Sequence, residues 1–71
     1  MTSEQWYFTF GARQEFEGYY VVIPGSFADA RVRMVQKYGI AWSGQYTAQQ
    51  FEQLGLGDKL ECLEVFEVWA G

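Results

Sequence analysis

Cys62 is the one thiol in these 71 residues, and its neighbours disarm it as a nucleophile. A cysteine becomes reactive where positive charge stabilises the thiolate. Here Glu61 and Glu64 lie close in sequence, and Leu60 and Leu63 mark Cys62 as a small buried hydrophobe. The chain contains no histidine, so the commonest general base and metal ligand is missing. Ser3, Ser26 and Ser43 have no triad partner, and the carboxylate pair Glu15 and Glu17 lies in a polar turn. Gly55-Leu56-Gly57 follows a helical pattern, whereas a dinucleotide-binding glycine loop follows a strand and opens a helix. These residues predict no catalytic group, no metal site and no cofactor, and therefore a protein that is not an enzyme.

What remains is the chemistry of recognition. Three tryptophans, five tyrosines and six phenylalanines make 20% of the chain aromatic, more than one small core readily hides. Glutamates recur every three residues at Glu61, Glu64 and Glu67, and Asp58 precedes them. Residues 1–37 sum to zero charge, so the whole net charge of −4 falls in residues 38–71. That balance disfavours a nucleic-acid backbone and favours a basic protein surface. The aromatic run Trp6 to Phe10 resembles a base-stacking platform, but only Arg13 is near to supply positive charge. A solvated edge that resists aggregation is the plainer account of the glutamates. Exposed carboxylates beside surplus aromatics form the alternative, a binding face made of Asp58, Glu61, Glu64, Glu67, Tyr7 and Tyr20.

The elements that must carry these residues are legible from pattern. Trp6-Tyr7-Phe8-Thr9-Phe10 alternates as a strand, and Tyr19-Tyr20-Val21-Val22-Ile23 is a second, stopped by Pro24-Gly25. A polar turn from Ala12 to Gly18 joins them. Ser26 caps a helix from Phe27 to Tyr38, and Gly39 ends it. Phe27, Ala30, Met34 and Tyr38 form its apolar stripe. Arg31 falls inside that stripe and is expected to meet a carboxylate, the alternative being to lie along the aromatic surface, while Arg33 and Lys37 are expected to face away. Residues 40–46 read as a brief strand or an extended connection. Thr47 and Gln50 form a capping box for a short helix that closes at Leu54-Gly55, and a turn through Asp58 follows. The run from Lys59 to Trp69 is strand-like, and a bulge near Leu63 would bring all three glutamates to the solvent side.

The expected fold is α+β within a single domain spanning residues 1–71. It is an antiparallel sheet of three or four strands with one main and one short helix, in the order β-β-α-(β)-α-β. Phe8, Phe10, Val21, Ile23, Phe27, Met34 and Val65 are its expected core. No stretch approaches the ~20 apolar residues of a membrane span, and Met1 to Gln5 lack the features of a secretory signal, which predicts a cytosolic protein.

Trp6-Tyr7-Phe8-Thr9-Phe10-Gly11, Gly18-Tyr19-Tyr20-Val21-Val22-Ile23, Ala30-Arg31 with Met34, Tyr38-Gly39, Trp42 and Gln45-Tyr46-Thr47 together form a pattern that resembles small proteins encoded by bacteriophages and prophages. The likeness spans about residues 6–54. In size and charge the chain is also similar to small acidic anti-CRISPR proteins. The resemblance implies an inhibitor in the cytoplasm of a bacterial host. Its partner would be a host defence protein with a basic surface, such as a CRISPR effector, whose nucleic-acid site it would occlude without touching nucleic acid itself. The alternative is a structural or regulatory phage protein acting as a homodimer.

Overall fold

The computed structural model describes residues 4–67, which form β1 (Gln5–Thr9), β2 (Tyr19–Pro24), α1 (Phe27–Tyr38), β3 (Gly44–Thr47), α2 (Ala48–Gln53), α3 (Leu56–Lys59) and β4 (Glu61–Val65). The fold is α+β, with four strands in the spatial order β3-β1-β2-β4. β1 pairs antiparallel with β2 and with β3, whereas β4 lies parallel to β2. The expected all-antiparallel sheet is therefore mixed. Hydrophobic alternation fixes which face a residue occupies but says nothing of strand direction. The connection from Ala48 to Leu60 is long enough to cross the sheet, as a parallel pairing needs. Val68 and Trp69, the end of the expected last strand, lie outside the described residues.

Two crossovers explain the layering. The chain passes from β2 through α1 to β3, past β1 toward one edge. It then passes from β3 through α2 and α3 to β4 at the other edge. β2, β3 and β4 all run the same way, and the two crossovers move in opposite directions. Connections of one hand that move oppositely must lie on opposite faces of the sheet. The side chains show this split. Phe8, Phe10, Val21 and Ile23 form a buried cluster with Ala30 and Met34 of α1. Tyr7, adjacent to Phe8 and so on the other face, stacks on Phe51 of α2 with ring centroids 4.4 Å apart. Tyr20 also meets Phe51, at 4.8 Å. Val22, opposite Tyr7 in the hairpin register, is buried as well.

This two-sided core absorbs the aromatic surplus. On the α1 face, Trp6 meets Phe27 edge-on at 5.2 Å and Phe8 meets Trp42 at 5.1 Å. Phe10, Phe16 and Tyr38 form a mutual trio with centroids 5.4–5.7 Å apart. Phe16 thereby pins the β1–β2 turn, which the polar residues around it conceal in the sequence. Two expected core residues are not in the core: Phe27 is 48% exposed and Val65 is 60% exposed. Phe27 opens α1, and Val65 is the last residue of the edge strand β4.

The caps follow the sequence closely. Ser26 Oγ accepts from the Asp29 amide at 3.1 Å, and Thr47 and Gln50 close a reciprocal capping box. Gly39 takes a positive φ of 71° and its amide donates to the Val35 carbonyl, ending α1 where expected. Gly44 leaves room for a neighbouring side chain. A Cβ there would lie 2.8–2.9 Å from the Tyr46 ring, which folds back over it. The turn expected at residues 55–58 contains instead the short helix α3.

Candidate interaction surface

The bulge at Leu63 determines what each C-terminal carboxylate can do. Tyr20 is opposite Cys62 and Val21 opposite Glu64, so Leu63 is the extra residue. The expected bulge is present, but it does not turn all three glutamates to solvent. Leu63 packs against the α1-side cluster, and Glu64 reaches α1 as well. Glu64 Oε2 lies 2.6 Å from Lys37 Nζ, and Oε1 accepts from the Tyr38 hydroxyl at 2.6 Å. Both donors hold the Glu64 carboxyl below the usual carboxylate range, Lys37 first and Tyr38 second, against an opposing contribution from burial. Burial, followed by the hydrogen bond to Glu64, pushes the Tyr38 hydroxyl well above the ordinary phenol range. Glu64 is thus a tie between β4 and α1.

Asp58, Glu61 and Glu67 are exposed. Asp58 is in α3, Glu61 opens β4, and Glu67 lies just past its end. β4 is an edge strand, so the three acids mark the open rim of the sheet over about 20 Å of extended chain. Tyr19 is opposite Glu61 in the β2–β4 register and is exposed. Its position beside an acid was not legible in the sequence, because both partners of that pair depend on the parallel register.

Tyr7 and Tyr20 occupy another place altogether. Both are half-buried on the α2 face, tilted toward each other at 5.9 Å and covered by Phe51. They are packing residues there, and Tyr20 borders β4 opposite Cys62. Burial, with the nearby Cys62 thiol adding to it, raises the Tyr20 hydroxyl above its ordinary value. Cys62 itself is exposed, not buried as its leucine neighbours imply, because β4 has no outer neighbour to cover it. Among the described residues no group of three or more His, Cys, Asp or Glu is placed to hold a metal ion. No helix among them is long and apolar enough to cross a membrane.

The cations of α1 are also arranged differently from the sequence reading. Arg31 stands 5.2 Å over Trp42 and 5.8 Å over Phe27, the aromatic alternative to the carboxylate contact. The residues expected to face away carry the contacts to the chain's end. Arg33 lies 5.1 Å and Lys37 5.3 Å from the centre of the Phe66 ring, so two cations hold that ring against the helix. The wheel position of Arg33 faces β4 once β4 occupies the β2 edge, which the helix pattern alone cannot show.

Comparison with protein-family models, with curated proteins and with solved structures finds no match.

Proposed function

We propose that this protein is a non-catalytic binder that engages a basic protein surface through the acidic rim of its sheet. The observation that carries this reading is the placement of Asp58, Glu61 and Glu67, all exposed in, just before or just after the edge strand β4, with Tyr19 opposite Glu61. Exposed carboxylates give little to folding, but they steer encounter with a partner of opposite charge and couple to it once water is displaced. In the reading that accompanies the phage-protein resemblance, the partner is a host defence protein in the bacterial cytoplasm, such as a CRISPR effector. The rim covers the basic groove where that protein would hold nucleic acid. Tyr7 and Tyr20 have no part in this contact, and Glu64 supports it only by fixing β4.

The test is affinity capture from a bacterial lysate with two baits, the parent chain and the Asp58→Asn, Glu61→Gln, Glu67→Gln variant. A basic nucleic-acid-binding protein retained by the parent and lost with the variant is the expected result. Its identification by mass spectrometry then permits a direct competition assay against nucleic acid. Retention of the same proteins by both baits would reject the acidic rim as the binding face.

A further inference from the structure

The two edges of the sheet differ in how they are guarded. β4 has exposed acids and a bulge, both of which discourage the pairing of a further strand. β3, the other edge, has no charge and no proline. It lies within the longest stretch of the chain without a charged residue, from Gly39 to Phe51. Its backbone shows what that edge offers. The Thr47 amide donates to the Gln50 side chain in the cap of α2, so it is turned away from β1. Strand alternation turns the amide and carbonyl of Gln45 the same way, and no strand pairs with β3 on that side.

Apolar surface borders the same edge. Phe27 is tied to β3, because its carbonyl accepts from Gln45 Nε2 at 3.1 Å, and its side chain is half exposed. Ile40, in the connection leading into β3, is 87% exposed. Val35, one turn beyond Arg31 on the same side of α1, is exposed as well. These three leave on the order of 300 Å² of mostly apolar surface open, a third or more of the ~800 Å² that each partner gives to a stable dimer. Leu54, alone on a polar α2, and Val65, among the acids of β4, do not belong to this patch.

We propose that the outer edge of β3 pairs with the same edge of a second copy, antiparallel about a two-fold axis at Gln45. Three observations select a second copy. On that axis Gln45 meets itself, so the outward amide and carbonyl of each copy match those of the other, as in a hydrogen-bonded antiparallel pair. The edge is neutral, so two chains of net charge −4 can meet there without setting like charges face to face, whereas a strand from a basic partner would find no acid along it. The charges flanking the edge are complementary. Arg31 stands over Trp42 before the start of β3, and Glu4 lines a shallow cleft with Thr47 at its end. Both lie on the α1 face, Glu4 being two residues before Trp6. Antiparallel pairing sets the start of one β3 beside the end of the other, so Arg31 of each copy approaches Glu4 of its mate. Neither has an ion-pair partner among the described residues. The contact leaves the β4 rim open on both copies and does not depend on the reading of that rim.

Sedimentation equilibrium on the full chain tests the proposal with the parent, Gln45→Lys, Gln45→Glu and Ile40→Ser. The parent's average mass should rise with concentration to twice that of one chain and stop there, because a two-fold contact closes. Gln45→Lys and Gln45→Glu should each stay monomeric, since like charges face each other across the axis. Their equimolar mixture should dimerise again, because the mixed pair sets Lys against Glu. Circular dichroism checks that each variant keeps the parent's fold. Ile40→Ser alters an exposed side chain and covers the case in which a Gln45 variant fails to fold. It should raise the Kd of the dimer about tenfold or more. A parent that remains monomeric to millimolar concentration would overturn the proposal. So would a mass that climbs past the dimer, a mixture of folded Gln45 variants that stays monomeric, or an Ile40→Ser chain that dimerises with the parent's Kd.

Discussion

Glu61, Glu64 and Glu67 are alike in type and spacing, and the bulge at Leu63 gives one of them a different environment. Glu64 is held by Lys37 and Tyr38, with its side chain 32% exposed and that of Lys37 51% exposed. A half-exposed ion pair contributes at most about 1 kcal/mol. Its sign with pH follows from the lowered folded value. Above the unfolded glutamate value of about 4.3, Glu64 is ionised in both states and the tie is fully present. As pH falls through the folded value the proton is taken up and the contribution is lost. Glu64→Gln should therefore lower stability at neutral pH by up to about 1 kcal/mol and flatten the acid limb. Urea unfolding at neutral pH and near pH 3 checks this: the parent and variant curves should converge at the lower pH. On the alkaline side, Tyr38 holds its proton more firmly when folded. Stability should fall from about pH 10 upward, and Tyr38→Phe should weaken that limb and leave the part that belongs to Tyr20.

The two arginines reverse the order that the helix wheel implies. Arg31 is exposed over Trp42 and Phe27, whereas Arg33 is half-buried against Phe66. Arg33→Ala should lower the melting temperature more than Arg31→Ala. An equal or opposite ranking in thermal unfolding would show that the Phe66 contact contributes nothing.

At the scale of elements, both helix layers should prove necessary. Met34 is fully buried between α1 and the sheet, and Met34→Ala should cost about 2–5 kcal/mol. Phe51 is the single buried residue of α2, and Phe51→Ala should cost about 3–5 kcal/mol, because it also uncovers Tyr7 and Tyr20. Chemical unfolding of the two variants measures both. If Phe51→Ala cost no more than an exposed truncation such as Gln49→Ala, α2 would be an ornament and the sheet one-sided. Local elements were readable because their signals are local: Ser26, Gly39, Thr47 and Gln50 each act within one turn of helix. The layer opposite α1 was not readable, since the aromatic alternation of β1 is consistent with one covered face or two. Only the crossover from β3 to β4 decides it, and strand direction leaves no mark in residue pattern. The same gap hid the site. Tyr7 and Tyr20 read as surplus on a free face, and only the parallel register pairs Tyr19 with Glu61.

Across the whole molecule, charge is sorted: positive on α1, negative elsewhere, with an acidic rim at the β4 edge. That sorting separates two roles that the periodic glutamates confuse in the sequence. Asp58, Glu61 and Glu67 are exposed, so removing their charge should alter folding by no more than about 0.5 kcal/mol each. Neutralising the same three residues takes the net charge from −4 to −1 and removes most of the field at the rim. Association with a basic partner should therefore slow, because long-range attraction raises encounter rates and is what salt screens. The variant's association rate should also vary less with ionic strength than the parent's, and stopped-flow or surface-based kinetics at two salt concentrations measures both effects. Glu64→Gln gives the contrasting outcome, with stability reduced and salt dependence close to the parent's, because its charge is already neutralised by Lys37. If neutralising the rim destabilised the fold as much as Glu64→Gln does, the rim acids would be structural. The acidic edge would then do no more than keep neighbouring chains from pairing with β4.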